Sequence, residues 1–451
     1  MSDRDRSLRE ELERRLLALG SKLPTSSLGR IGRTALAGLR GGRLAWRTKG
    51  DEEAPPDFDA LAAVVASLGQ LKGVAMKAGQ LVSYLDLDLP PELRSALAVL
   101  QTHSPSMPFE RVSEIVKAEL GAQASVLLAR MAPVPAAAAS IGQVHRATLP
   151  DGTEVAVKVQ YPDIEKAIAN DFRSAAVGAS FARLLVPRGN VDAIVGAARR
   201  AVLEECDYER EATYEERFGQ IYASHPTLVV PAVHRTYCSR RVLTTTWAEG
   251  VRFDDFLATR PPPSERDRLG EALFEFYVGT LFQHGLYNWD PHPGNYVFRR
   301  DGRLVMLDYG STREFDRAFV ENLAALTRAV HSDERDALHR AFVALGMIQE
   351  GKSYDFETAR ALVRSFYGPM LHDEVLSVEP GQAMPLRMLL ETKRELLKLH
   401  LPGEFLFVLR IRFGVMSVLA RLGARANWYR LERRLAESAP AVDENRSSGD
   451  V

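Results

Sequence analysis

Between positions 290 and 310 the chain reads Asp290-Pro-His-Pro-Gly-Asn295 and then, after a short gap, Asp308-Tyr309-Gly310. This pattern constrains the fold. An acid, an amide five residues later and a second acid before an aromatic-Gly pair have the spacing of a phosphate-transfer site, with a loop followed by a strand hairpin. The residue types suit chemistry on phosphate: one carboxylate orients or deprotonates an attacking hydroxyl. Hard oxygen donors then hold Mg2+ against a nucleotide's phosphates. The flanks agree with this placement. Residues 273–286 predict a helix with apolar Leu273, Phe276, Tyr277, Leu281 and Phe282. Tyr296-Val297-Phe298 and Leu304-Val305-Met306-Leu307 predict short strands around Arg300-Asp301-Gly302-Arg303. Asp290 and Asn295 then lie on a loop, and Asp308 at a strand end. The competing reading is a plain turn, in which Pro fixes φ, Gly supplies positive φ and Asn tolerates the left-handed region.

Upstream, Glu154-Val155-Ala156-Val157-Lys158-Val159 alternates as a strand after the turn Pro150-Asp151-Gly152. A lysine there matches the strand lysine of protein kinases, which contacts nucleotide phosphate and pairs with a helical acid. It also matches an outward-facing lysine on an ordinary strand. Residues 199–218 predict the acidic helix, with Glu204, Glu205, Asp207, Glu209 and Glu211 as carboxylates, some belonging to a solvated face. Ahead of the lysine strand runs Pro135-Ala136-Ala137-Ala138-Ala139-Ser140-Ile141-Gly142-Gln143-Val144. Kinases place a glycine-rich phosphate loop at this point. Here an alanine run with one glycine gives a stiffer loop, although alanines by composition favour helix.

Together these residues resemble the UbiB/AarF family of atypical, protein-kinase-like proteins, implicated in ubiquinone biosynthesis and lipid homeostasis. Three signatures carry the resemblance: the Ala-rich loop, Lys77-Ala78-Gly79-Gln80 matching Lys-x-Gly-Gln, and Glu205-Cys206-Asp207 matching Glu-x-Asp. It covers roughly residues 60–430 and implies an α+β, two-lobed protein-kinase-like fold with a helical N-terminal extension. It further implies ATP and Mg2+ as cofactors, Asp290 as catalytic-loop acid, Glu211 as the partner of Lys158, and Asn295 and Asp308 as metal ligands. Residues Ala136, Ala137, Ala138, Ala139, Ser140, Ile141, Gly142, Gln143 and Val144, with Lys158 and Glu249, are then the nucleotide contacts. Lys77 and Gln80 would fold back near Glu205 and Asp207 as regulatory residues and occlude a peptide site. The chain departs from the pattern at Asn288-Trp289, where the family often has a His two residues before the Asp. That His packs the loop against the metal-binding segment, and Asn288 is a hydrogen-bonding substitute. His292 reads as a loop-packing residue, with no second His or Cys at ligand spacing.

The extension has its own logic. Residues 61–85 carry apolar Leu61, Val64, Val65, Leu68, Leu71, Val74, Ala75, Met76 and Leu81 at helical period. Gly73 and Gly79 each cost about 1 kcal/mol against Ala and so mark close packing. Lys77 without the resemblance is equally a solvated surface residue. The expected organisation is 1–55, a docking helix (Leu8, Leu12, Leu16, Leu19) and basic segment; 56–125, the extension; 126–249, the smaller lobe; 250–438, a mostly helical larger lobe; and 439–451, a disordered tail. The hinge is expected near Trp247-Ala248-Glu249-Gly250, with Pro261-Pro262-Pro263 in a loop beyond it.

With 46% hydrophobic and 26% charged residues in 451, the composition is that of a globular protein large enough for two lobes. Two cysteines build no disulfide framework, which suits a reducing cytoplasm. Cys206, among carboxylates, is no candidate nucleophile. Residues 21–50 hold Lys22, Arg30, Arg33, Arg40, Arg43, Arg47 and Lys49 without an acid, interleaved with apolar residues. Such a segment suits an anionic membrane surface at about 1 kcal/mol per basic residue, or a bland linker. Nucleic acid is not expected, because no nucleic-acid-binding motif accompanies it. The first residues are charged and predict no signal peptide. Residues 401–422 hold Glu404, Arg410, Arg412 and Arg421, too many charges for a lone membrane span. Any membrane association of this cytoplasmic chain is expected to be peripheral.

Two functions of different class follow. One is an ATP-hydrolysing or phosphoryl-transferring enzyme whose partner is a lipid or quinone-pathway metabolite. The other is a nucleotide-sensing scaffold with negligible chemistry, favoured by the stiff loop and by Asn288. A conventional protein kinase ranks lower, since residues 308–319 hold no recognisable activation segment. A small-molecule phosphotransferase leaves Lys77-Ala78-Gly79-Gln80 without a role.

Overall fold

A computed structural model describes residues 107–139, 141–166, 203–348, 353–379 and 403–439. The basic segment 21–50, residues 56–106 of the extension with Lys77 and Gln80, Ser140 and the end of the tail from 440 lie outside the described residues. The chain divides into two compact units. One includes residues up to Thr213 and Ala232–Trp247; the other includes Tyr214–Pro231 and the chain from Ala248 onward.

In the first unit, α1 (Phe109–Leu120) and α2 (Ala124–Leu128) precede β1 (Ala137–Ala138), β2 (Gly142–Thr148) and β3 (Glu154–Gln160). The helix α3 (Tyr208–Ile221) follows, giving residues through Thr213 to this unit. Beyond β4 (Leu228–Val229), which pairs in the other unit, β5 (Val242–Thr246) completes an antiparallel sheet in the order β1-β2-β3-β5. The middle of the alanine run therefore forms strand: Ala137 pairs Val144 and Ala138 pairs Gln143. Alternation in β3 sends Val155, Val157 and Val159 into a core with Val112, Ile115 and Val116 of α1. The opposite face packs Ile141, Cys206, Tyr208, Ala212 and Leu243.

The helix expected over 199–218 is interrupted in its described part. Leu203–Glu204 lead into a turn and α3 starts afresh at Tyr208. The Asp207 carboxylate causes the restart, since Oδ1 accepts the N–H groups of Glu209 and Arg210, both at 3.1 Å. That is an N-cap, where a short acid satisfies donors left open by the first turn.

The second unit begins with part of α3 and the small sheet β4-β8-β7. Here α4 (Phe253–Ala258), α5 (Pro263–Phe274), a π-helical turn (Glu275–Gly279) and α6 (Thr280–His284) run to β6 (Leu286–Asn288). The helix expected over 273–286 thus starts ten residues earlier, with Pro263 at its first position where no N–H is needed. It ends at Gly285, whose φ of 64° closes the left-handed cap. The strands β7 (Tyr296–Phe298) and β8 (Leu304–Met306) form the hairpin, and β9 (Thr312–Glu314) pairs β6. The helices α7 (Arg317–Ser332), α8 (Arg335–Ala344) and α9 (Phe356–Tyr367) come next, then β10 (Leu376–Ser377). The described chain closes with α10 (Gly403–Leu422), β11 (Arg425–Ala426) and α11 (Trp428–Glu437). No helix among the described residues is long and apolar enough to cross a membrane. In α10 the charges are accommodated internally: Arg412 pairs with the buried Glu432, and Arg410 turns toward the loop after β6.

Candidate functional site

In the first unit, Lys158 extends from β3 beneath α3. Its Nζ donates to both carboxylate oxygens of Glu211, at 2.8 and 3.0 Å, and lies 4.9 Å from the centroid of the Tyr208 ring. Glu211 is buried and the lysine largely so. An ion pair so desolvated is worth little as net stability but fixes one lysine orientation. Of the expected carboxylates, Glu211 is the one the structure brings to Lys158. Glu205 is buried at the preceding turn, and Asp207 caps α3. Burial, reinforced by Glu205, pushes the Cys206 thiol up to about 12, which keeps it protonated.

The start of β2 is shaped by contact distance. A Cβ on Gly142 would stand 2.3 Å from the Val159 carbonyl oxygen and 3.0 Å from the Tyr208 hydroxyl. Only glycine allows β2 that approach. Gln143 turns inward: its Oε1 accepts from Met107 N–H (2.7 Å), and its Nε2 donates to Met107 carbonyl and to His145 Nε2. The other His145 nitrogen, Nδ1, meets the Ala132 carbonyl at 2.8 Å. Burial lowers the His145 pKa, consistent with a neutral imidazole that donates from Nδ1 and accepts at Nε2. Gly142, Gln143 and Val144, expected in the loop, are thus residues of β2, and the Gln143 side chain is engaged with Met107 and His145. Glu249 is exposed beside Gly250 in the second unit.

In the second unit, the loop after β6 is a closed hydrogen-bonded assembly. Asn288 accepts the Asp290 N–H at 3.0 Å through Oδ1 and donates through Nδ2 to the Asp308 carbonyl at 2.6 Å. It thereby joins the two acidic segments, the task a histidine has in the family pattern. Asn295 Nδ2 donates to the Asp290 carbonyl (3.1 Å) and to its carboxylate Oδ2 (3.3 Å). Its own carbonyl accepts from Leu307 N–H at 3.0 Å, which registers it beside Asp308. Asp308 Oδ1 accepts the Gly310 N–H at 3.0 Å. His292 caps the short turn Pro293–Asn295, its Nδ1 accepting from Gly294 N–H. With Asn295 donating inward through Nδ2, its amide oxygen is left for a ligand. An amide oxygen and a carboxylate form the hard donor set that Mg2+ takes. The residues present fit the ion.

Two supports of this loop escape a reading of the sequence. Tyr277, carried by the π-helical turn, places its hydroxyl 3.0 Å from that of Tyr296 and 3.5 Å from the Asp290 carbonyl. Both phenols are fully buried, and burial raises their pKa values well beyond the usual phenol range. The second is Arg410 of α10, whose Nε donates to the Trp289 carbonyl at 2.7 Å and Nη2 to Asp290 Oδ1 at 3.1 Å. Its signal in sequence was slight, an arginine in an apolar helix 120 residues away.

The profile of the ABC1 atypical kinase-like domain matches residues 99–341, and the chain belongs to this family. It is similar to the mitochondrial atypical kinase coq-8 of Caenorhabditis elegans, 32% identical over 338 residues, covering 70% of this chain and 44% of that one. The Synechocystis protein sll0005 is 38% identical over 237 residues, 52% of this chain and 35% of its own. A probable serine/threonine-protein kinase of Dictyostelium discoideum, abkD, is 27% identical over 387 residues, 84% and 55% of the two chains. The chain thus spans roughly a third to just over half of these relatives. Among solved structures, Rv3197 of Mycobacterium tuberculosis, determined with erythromycin, superposes with a TM-score of 0.59 at 27% identity, over 83% of this chain and 95% of that one. The fold is kinase-like.

Proposed function

We propose that the chain binds Mg-ATP and hydrolyses it or transfers its terminal phosphoryl group. The observation that carries this reading is the assembly of Asp290, Asn295 and Asp308, joined through Asn288. In it Asn295 and Asp308 would hold Mg2+, which when bound neutralises charge on the nucleotide phosphates. Asp290 would orient the attacking hydroxyl or water. Lys158, fixed by Glu211, would contact phosphate, and the stretch Ala136 to Val144 would cover the nucleotide. The family resemblance extends the proposal to ubiquinone or other isoprenoid-lipid metabolism, with the basic segment 21–50 touching anionic membrane from the cytoplasmic side.

A second reading has its own observation. Both Asp290 carboxylate oxygens accept hydrogen bonds from within the chain, Oδ1 from Arg410 and Oδ2 from Asn295. A carboxylate whose two oxygens both face the chain's own donors is turned away from an attacking hydroxyl, which favours a nucleotide-sensing scaffold. Phosphate release from Mg-ATP, with and without anionic liposomes, decides between them. Turnover that exceeds Asp308→Asn supports the enzyme, and stimulation by lipid directs the acceptor search to membranes. Turnover indistinguishable from the variant in both conditions removes the enzyme reading.

A further inference from the structure

The helix α10 meets the 287–291 segment along a single stripe. Phe407, Arg410 and Gly414 stand at i, i+3 and i+7, one face of a helix. Phe407 packs its ring 5.8 Å from Trp289 and 5.9 Å from Tyr287. Arg410 lies 4.5 Å above the Trp289 ring centroid while bonding the Trp289 carbonyl and the Asp290 carboxylate. Gly414 completes the contact: a Cβ there would come within 2.3 Å of Pro291 Cγ. Consecutive loop residues 289, 290 and 291 are thus each touched by this stripe. The whole helix lies beyond residue 341, where the family profile ends.

We propose that Arg410 is a positioning residue for Asp290, and that the Phe407-Arg410-Gly414 face of α10 is the brace that sets the loop. The proposal rests on the Mg-ATP reading of the site and deepens it. The guanidinium fork reaches a carbonyl and a carboxylate at once, which a lysine ammonium on a longer, freer stem does poorly. Because Asn295 donates to Asp290, a loop released from α10 also releases the amide expected to hold Mg2+. Supporting groups of this kind set metal affinity by about 10–100-fold.

The test compares full-length Arg410→Met, Arg410→Lys and Gly414→Ala with wild type, scoring the Mg2+ concentration for half-maximal ATP binding and, where wild type turns over, kcat against KM. Gly414→Ala keeps the arginine and adds a better helix former, so α10 itself is not weakened while Pro291 is pushed. Arg421→Ala, at an exposed pair with Asp254 on the same helix, is the control. Half-maximal Mg2+ should rise about 10-fold in Arg410→Met and Gly414→Ala, less in Arg410→Lys, and not in the control. Turnover should fall by about 100-fold through kcat, with the KM for ATP nearly constant. If Arg410→Met does not fold, Gly414→Ala decides. Wild-type values in the folded variants overturn the brace and leave the nucleotide reading standing. Wild type that binds no Mg-ATP removes that reading and this inference with it.

Discussion

The two units hold their key charges in different ways. Lys158 is held at its side-chain tip, by Glu211 reached from a neighbouring helix, with the Tyr208 ring beside it. Asp290 is fixed by groups scattered along the chain: Tyr277 beneath, Asn288 and Asn295 within the loop, and Arg410 from 120 residues away. A charge held at the tip of a flexible four-carbon stem can readjust when a partner is lost. A charge held through its backbone and its carboxylate together cannot, because Tyr277, Asn288 and Asn295 fix the loop that carries it. This difference has consequences for stability as well as for chemistry.

The largest expected effect is therefore at Asp290. Asp290→Ala removes the carboxylate that Arg410 pairs with, the arginine side chain being only 8% exposed, and should destabilise the protein by about 3–5 kcal/mol. Lys158→Met keeps the aliphatic stem and removes the ammonium from Glu211, at about 1–3 kcal/mol. Urea denaturation of both variants gives the order. Equal costs, or a larger cost at Lys158, would break the contrast between a charge held at its tip and one held in a bonded loop.

What the sequence disclosed follows the same division. Lys158 sits on a strand whose alternation is plain, and Asp290, Asn295 and Asp308 lie within 19 positions, so local rules locate them. Glu211 stood among several acids, and spacing alone did not separate it; the family pattern did. Asp207 was harder, because an acid in a Glu-rich run reads as helix interior until its N-cap hydrogen bonds are seen. Arg410 was read only as a charge unsuited to a membrane span. Helical periodicity says which residues share a face, but not what that face meets at a separation of 120 residues. The π-helical turn that delivers Tyr277 has no sequence signature, since it inserts one residue into an otherwise regular apolar pattern.

A smaller effect sharpens the picture of the first unit, where fit replaces networking. Gly142→Ala places a methyl 2.3 Å from the Val159 carbonyl oxygen, so β2 must shift away from β3. Overpacking of this kind costs about 1–3 kcal/mol. The displacement also disturbs Tyr208, on which Lys158 rests. Weaker amide protection confined to residues 142–160 in hydrogen exchange is the expected signature. Unchanged protection there would show that the strand tolerates the added carbon and that steric closeness is not what requires glycine.

The smallest effect is a pH dependence, and its sign is fixed by burial. His145 has its pKa lowered below 6.5 chiefly by desolvation, so the folded state binds fewer protons than the unfolded chain near that pH. Its contribution to stability is complete above pH 6.5 and is lost as pH falls through the lower folded value. Protonation would also turn Nε2 from the acceptor of Gln143 Nε2 into a donor, opposing the bond that ties Met107 to β2. His234 and His284 are lowered by burial too, so the useful quantity is a difference between proteins. The Tm of wild type should fall more steeply between pH 7 and pH 5 than that of His145→Gln, in which no imidazole remains to charge. Parallel curves would mean that the imidazole is accommodated in its charged form, and the Gln143 network would then join the adjustable pairs rather than the rigid ones.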